Sequence, residues 1–136
     1  MALRQSITRI NPLDLNKNVT IGVAFPIDEV NLFNGTQTMK EQVKSNLINL
    51  LLTDPGERVF EPNFGVGLKK FLFEPHMNTI NLEEVIQEQV NIYIPEIQIE
   101  GVRANFSPDE HILYLKIIYR FLLDGSNDSI QLNFNN

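Results

Sequence analysis

The stretch that decides the fold is TMKEQVKSNLINLLLTDPGERVFEPNFG, residues 38–65. Thr38 and Glu41 have the spacing of a capping box, in which the hydroxyl accepts a backbone amide and the carboxylate reaches back, so a helix is predicted to begin there. Helical spacing then gives an apolar stripe of Val43, Leu47, Leu50 and Leu51. The helix is predicted to end at residues 53–56, because Pro55 disfavours helical Asp54 and Pro-Gly suits a type II turn.

The segment after the helix, called the 56–65 loop below, predicts a surface made for a partner. Phe60 and Phe64 alternate with Glu61 and Asn63, so both aromatic rings are expected to anchor the segment in the core. Glu61, Asn63 and Arg58 are then expected to face outward. A stiff polar loop suits recognition, since little ordering entropy remains to be lost on binding.

The same segment also suggests a glycosidase, because it carries Asp54, Glu57 and Glu61. That chemistry needs two carboxyl groups roughly 5 to 10 Å apart. If residues 57–61 are extended, Glu57 and Glu61 stand about 13 Å apart, at ~3.3 Å per residue. Asp54 lies beyond a turn and could fold back, so the geometry stays open. Solvated charges beside a turn are the favoured interpretation, and no catalytic residue is predicted.

The elements before and after this stretch follow from periodicity. Residues 1–18 are interpreted as an extended N-terminal arm, and VTIGVAF, residues 19–25, alternates like a strand. A loop with a turn at Asn34-Gly35 is expected next. Downstream, residues 68–73 predict a brief helix. A second long helix is predicted over residues 81–93, with Asn81 as its cap and Glu84 in the box position.

The last third of the chain predicts three strands joined by short turns. The first has Gly101 as a candidate bulge, HILYLKIIYRFLL is expected to be central, and SIQLNFN is expected to close the meander. The predicted fold class is therefore α+β, with two main helices packed on a small, mostly antiparallel sheet that ends in a C-terminal β-meander. Residues 19–136 are interpreted as one domain.

The final strand is a candidate sheet edge. Ile130, Leu132 and Phe134 alternate with Gln131 and Asn133, and no side chain after residue 128 is charged. An edge without charge or proline can accept an incoming strand by β-augmentation. A fully paired third strand of the meander is the alternative that the sequence leaves open.

Composition excludes several classes of function. The formal charge of −6 argues against a nucleic-acid surface. The chain has no cysteine, and His76 and His111 form no ligand motif, so no metal or cofactor is predicted. No apolar run approaches the ~20 residues that span a bilayer, so no membrane partner is expected.

Four features follow one another in the chain: NLINLLLTDPGER, FEPNFGVGLKKFLFEP, an amphipathic helix and a β-meander. In this order they resemble the baseplate wedge protein family of contractile-tailed phages. The family is also called the sheath initiator, has a counterpart in type VI secretion baseplates, and is sometimes called lysozyme-like. The resemblance covers residues 38–134. It implies a non-enzymatic structural protein of the virion tail baseplate, assembled in the host cytoplasm and present in several copies in a sixfold baseplate.

The resemblance also implies partners: baseplate wedge proteins, the tail sheath protein and, as a further candidate, the tail tube. It implies docking on the wedge core through the 56–65 loop, at Gly56, Glu57, Arg58, Glu61, Pro62, Asn63 and Gly65. It implies strand exchange with the sheath at Ile130, Gln131, Leu132, Asn133 and Phe134. Relatives in secretion systems dock through Glu-Pro-Arg; Glu61 and Pro62 match, whereas Asn63 replaces the Arg, and Arg58 is the candidate for the missing charge.

Two other functions stay open at this level. One is a tail-associated, peptidoglycan-degrading lysozyme-like enzyme. The other is an unrelated soluble α+β binding module.

Overall fold

The computed structural model describes residues 11–16, 18–25, 34–72, 79–107 and 112–135. Within these residues, a short 3₁₀ turn, Pro12–Leu15, precedes three helices and five strands. In chain order these are β1 Gly22–Val23, β2 Gly35–Thr36, α1 Met39–Leu52, α2 Leu68–Leu72, α3 Thr79–Tyr93, β3 Ile97–Ser107, β4 Ile112–Phe121 and β5 Asn127–Asn135. The predicted α+β class with a C-terminal meander is confirmed. The boundary after residue 18 stays a prediction.

Helix α1 begins as its sequence predicts. The backbone N–H of Glu41 donates to the Thr38 hydroxyl over 3.2 Å, and the Glu41 carboxylate accepts the N–H of Thr38 over 3.3 Å. Two otherwise orphaned amides are satisfied in this way. The helix ends at Thr53, whose backbone N–H and hydroxyl both donate to the carbonyl of Asn49.

Helix α3 buries one apolar face but begins earlier than predicted. Leu82, Ile86 and Val90 are fully buried. Because the helix starts at Thr79, Asn81 lies inside its first turn, and the prediction that Asn81 is the cap is wrong. A short cap pattern can recur within a helix, and only the packing of the adjoining turn decides where the helix begins.

The C-terminal sheet has the order β3-β4-β5 and is antiparallel throughout. The prediction of β4 as the central strand is confirmed, and so is the bulge, because the register shifts between Ile99 and Gly101. The sheet shares one core with α1, α2 and α3. This core contains Leu47, Leu50, Leu51, Leu68, Leu82, Ile86, Val90, Ile97, Leu115, Ile117 and Tyr119.

Polar contacts join β4, β5 and α1. The buried Tyr119 hydroxyl donates to Oδ2 of Asp128 over 3.1 Å, and burial together with that carboxylate raises the pKa of Tyr119. Lys44 of α1 lies 3.8 Å from the same carboxylate. The tyrosine therefore stays protonated, and its hydrogen bond holds the start of β5 against β4.

The upstream strand is shorter than predicted. Residues 19–25 contribute only Gly22 and Val23, which pair with Thr36 and Gly35. Gly35 therefore lies in a strand rather than in the predicted turn. Alternation over residues 19–25 failed as a guide because a two-stranded sheet buries little on either face, and Val23 is exposed. The predicted short turn between the first two strands of the meander and the predicted end of the brief helix at residue 73 lie partly outside the described residues.

Candidate interaction surfaces

The 56–65 loop is closed on itself by backbone hydrogen bonds. The N–H of Gly56 donates to the carbonyl of Pro62 over 2.8 Å. The N–H of Glu57 donates to the carbonyl of Asp54 over 3.1 Å, which confirms the tight turn at Pro55-Gly56, and Gly56 has the positive φ, 89°, that this turn requires. The expectation that residues 57–61 are extended is therefore wrong, and the 13 Å separation inferred from it no longer applies.

Helix α3 clamps the far end of the loop through Gln89. Its side-chain oxygen accepts the N–H of Gly65 over 3.0 Å, and its side-chain nitrogen donates to the carbonyl of Asn63 over 3.0 Å. One amide side chain thus satisfies two loop peptides. No local sequence pattern points to Gln89, because the contact spans 24 residues of chain.

Helix α1 holds the same end of the loop through backbone contacts. The N–H of Val66 donates to the carbonyl of Leu50 over 3.0 Å, and the N–H of Gly67 donates to that of Thr53 over 2.9 Å. The loop is therefore tied to both main helices, and its shape does not depend on a partner.

The two loop aromatics have opposite positions. Phe64 is 8% exposed and packs edge-on against Tyr93, with 4.9 Å between ring centroids, so its predicted anchoring is confirmed. The Arg58 guanidinium lies 3.8 Å from the centre of the Phe64 ring, a favourable cation–π position. Phe60 is 97% exposed, so the expectation that it also anchors in the core is wrong.

The reason is a turn between the two rings. The N–H of Phe64 donates to the carbonyl of Glu61 over 3.0 Å, which reverses the chain there. Alternation assigns opposite faces only along an extended chain. Phe60 and its neighbour Val59, which is 87% exposed, consequently project into solvent.

The predicted docking residues lie at the surface with one exception. Gly56, Glu57, Arg58, Glu61, Pro62 and Asn63 are all exposed. Gly65 is buried, and its φ of 116° shapes the backbone of the loop. Gly65 therefore supports the surface from beneath.

Of four surface clefts in the described part of the chain, one contains three carboxylates and the other three contain one each. Glu61 is the one carboxylate in a cleft of about 250 Å³ beside the loop, next to Arg58. Glu88 is the one carboxylate in a second cleft of about 730 Å³, which Asn63 and Gly65 also line. The cleft with three carboxylates is about 540 Å³, lies between α1 and the β4–β5 turn and contains Asp14, Glu96 and Asp124. Glycoside hydrolysis needs a carboxylic acid whose raised pKa keeps it protonated.

Two of the acids in the cleft with three carboxylates already have structural partners. A hydrogen bond from Lys40, together with two from Ser126, lowers the pKa of Asp124 well below its usual range. Asp124 therefore stays ionised and cannot serve as a general acid. The Asp14 carboxylate accepts the N–H of Met39 over 2.7 Å at the start of α1. Across the described residues, no group of three histidine, aspartate or glutamate side chains is placed to hold a metal ion.

The outer edge of β5 is open. No strand in the described part of the chain pairs with β5 on the side away from β4. The N–H of Phe121 donates to the carbonyl of Ser126, on the side of β4 that faces β5. Because amide directions alternate along a strand, the other odd-numbered residues of β4 also direct their amides toward β5. In the observed register, the amides of Leu132 and Phe134 then face β4, whereas those of Gln131 and Asn133 face the open edge.

These two surfaces belong to a fold that known proteins share. A protein-family model described as baseplate wedge protein gp25 matches residues 37–126, two thirds of the chain, so the chain belongs to this family. It is a structural component of a baseplate, as the resemblance implies. The third hypothesis, an unrelated binding module, is thereby excluded.

Two solved structures have a similar fold. One is the crystal structure of a Geobacter sulfurreducens protein provisionally named a tail lysozyme, with a TM-score of 0.61 and 25% identity over 75% of this chain and 95% of that one. The other is a chain in the anti-feeding prophage baseplate, with a TM-score of 0.52 and 20% identity over 82% of each chain. No curated protein sequence matches this chain significantly. No helix in the described part of the chain is long and apolar enough to cross a bilayer.

Proposed function

We propose that this protein is a non-enzymatic assembly component that docks on the wedge core of a contractile-tail baseplate and templates the first sheath ring by strand exchange. The 56–65 loop is the docking surface, and β5 is the strand that pairs with the sheath protein. Its location is the virion tail baseplate, after assembly in the host cytoplasm. Family membership supports the baseplate location.

The observation that carries the sheath role is the contrast between the two edges of the sheet. The edge strand β3 is interrupted by its bulge at Glu100, and Glu100 and Arg103 are exposed charges along it. Bulges and charges are the usual protection of an edge against pairing. Strand β5 is regular, and no side chain beyond Asp128 is charged. The β3 edge is thus protected against pairing with another strand, whereas the β5 edge is suited to β-augmentation.

Copy number and further partners follow from the same proposal. The baseplate that contains the anti-feeding prophage relative was treated as sixfold symmetric. We propose several copies of this chain in a sixfold baseplate, in contact with wedge proteins, sheath protein and the tail tube. A chain in that position meets wedge and sheath on different surfaces, which the separate loop and edge strand provide.

The amide directions along β5 give a matched pair of variants. In Asn133→Pro the substitution removes an amide that faces the open edge, which an edge strand tolerates. In Leu132→Pro it removes an amide that pairs with β4, and it also deletes a half-buried side chain. Asn133→Ala keeps the outward amide and serves as the control.

We expect Asn133→Pro to fold, to enter baseplates and to block sheath polymerisation on purified baseplates. Leu132→Pro should lower the melting temperature of the isolated chain, since it breaks the β4–β5 ladder. Asn133→Ala should support sheath growth at the normal level. Normal sheath growth from a folded Asn133→Pro protein would refute strand exchange at this edge.

A further inference from the structure

The tip of the 56–65 loop is an adjacent pair of apolar side chains in water. Val59 and Phe60 are 87% and 97% exposed, more than any other large hydrophobic side chain in the described part of the chain. Isolated exposed apolar residues are ordinary, but a phenylalanine is usually buried at least in part. The fold gains no burial from either side chain.

The loop keeps its shape without these two side chains. Its base is closed by the Gly56–Pro62 hydrogen bond, and Gln89 clamps its far end. The backbone of the tip is therefore ordered before any partner binds. Preorganised contacts lose less conformational entropy on binding, so side chains held in this way can contribute most of their buried area to affinity.

The charges around the tip indicate what it meets. Glu57 and Glu61 flank the pair in sequence and are exposed. Neither forms an ion pair within the described residues, and the Glu57 carboxylate accepts the N–H of Asp54 over 3.1 Å. Arg58, which lies between them in sequence, has its guanidinium over the Phe64 ring at the base of the loop. An apolar tip flanked by two exposed carboxylates that form no ion pair within the described residues is complementary to an apolar pocket with a basic rim.

We propose that Val59 and Phe60 form the apolar anchor that this chain inserts into a pocket on a baseplate wedge protein, with lysine or arginine side chains around the pocket. This rests on the proposed docking function of the loop and names the side chains that provide its affinity. The polar residues expected from the sequence are then the rim of the contact. Buried aromatic anchors dominate most interfaces, whereas rim charges contribute specificity and association rate.

The test measures binding of the labelled full chain to wedge complexes purified from a tail assembly that lacks it. The double variant Val59→Ser/Phe60→Ser should lose about tenfold or more in affinity, as expected for a hot spot. Its melting temperature should stay that of the wild type, because both side chains are in water. The matched control is Leu122→Ser/Leu123→Ser, an adjacent exposed pair at the β4–β5 turn, which should bind normally.

A charge-reversal variant tests whether the proposed pocket has a basic rim. Glu61→Lys should weaken binding by a smaller factor and reduce its dependence on salt concentration, because the attraction it removes is screened by ions. Binding that is unchanged by this reversal would overturn the basic rim.

Failure of the anchor and failure of docking give different results. If the wild-type chain does not bind wedge complexes, the proposed docking function is wrong and the anchor with it. If it binds, and Arg58→Ala/Glu61→Ala weakens binding while the serine pair does not, the loop docks without the anchor and this inference is overturned. Sedimentation of the free chain tests a second copy as the occupant, and self-association abolished by the serine pair would also overturn it.

Discussion

Gly65 lies where a side chain has no room. A Cβ at this position would stand 2.3 Å from the carbonyl oxygen of Thr53, which belongs to the backbone and cannot rotate away. The φ of 116° is also one that residues with side chains rarely adopt. Gly56 has a positive φ as well, yet a Cβ there would meet nothing within 4 Å.

This difference predicts unequal effects of one methyl group in the same loop. Gly65→Ala should destabilise the protein by about 3 kcal/mol, because backbone strain and a clash act together. Gly56→Ala should cost about 1 kcal/mol, from conformation alone. Chemical denaturation of both variants measures the free energies of unfolding. Equal losses would show that the close approach of Gly65 to Thr53 has no energetic consequence.

At the scale of elements, the β4–β5 turn is fastened to the first turn of α1. Lys40 pairs with Asp124 and also donates to the Ser126 hydroxyl over 2.8 Å. Its ammonium lies 5.3 Å from the centre of the Phe121 ring. One lysine therefore joins a helix to the turn from which β5 begins.

The lowered pKa of Asp124 makes this contact dependent on pH. A carboxyl whose folded-state pKa is depressed stabilises the fold above its unfolded-state pKa of about 3.9 and loses that contribution as pH falls. Asp124→Asn should therefore be less stable than the wild type at pH 7, and the gap should close in strong acid. Asparagine can still accept the Ser126 hydrogen bonds, so the substitution isolates the charge.

Thermal unfolding from neutral to strongly acidic pH measures the effect. Lys44→Met is the comparison, because its 3.8 Å contact with Asp128 is longer and its acidic partner is more exposed. That variant should show a smaller effect at neutral pH. A stability difference between Asp124→Asn and wild type that does not change with pH would contradict the stabilising role of ionised Asp124.

At the scale of the whole molecule, the described acidic side chains do not have the arrangement that glycoside hydrolysis needs. The carboxylates of the 56–65 loop are exposed. Those of the cleft with three carboxylates include Asp124, which is held ionised, and Asp14, which accepts the N–H of Met39 at the start of α1. We therefore expect the purified chain to leave the turbidity of a peptidoglycan suspension unchanged. Lysis that is lost in Glu57→Gln, Glu61→Gln or Glu96→Gln would establish an enzyme, in line with the provisional name of the Geobacter relative.

The features that the sequence predicts correctly are those that residues close together in the chain determine. Thr38 and Glu41 stand three residues apart, and the capping box they predict needs no distant contact. The same is true of the turn at Pro55-Gly56. The regular alternation of the C-terminal strands predicted the meander, because each strand pairs with the next along the chain.

What the sequence did not predict depends on contacts between distant residues. Alternation with Phe64 predicts a buried Phe60 only if the chain between them is extended. The loop closes between Gly56 and Pro62 and is clamped by Gln89 from another helix. A strand of two residues in place of the predicted seven has the same origin, since the length of β1 depends on the partner it finds in β2.

The alternation along β5 has a consequence for any strand that joins it. Leu132 and Phe134 are only half-buried, so the apolar face of the sheet extends to its open edge and is partly exposed there. A captured strand would extend that face only in the alignment that sets its own apolar side chains beside them, and a slip of one residue would turn them to water. Under the proposed strand exchange, the edge of β5 would therefore fix the register of the first sheath strand as well as its position. A strand in the wrong register would pair less stably.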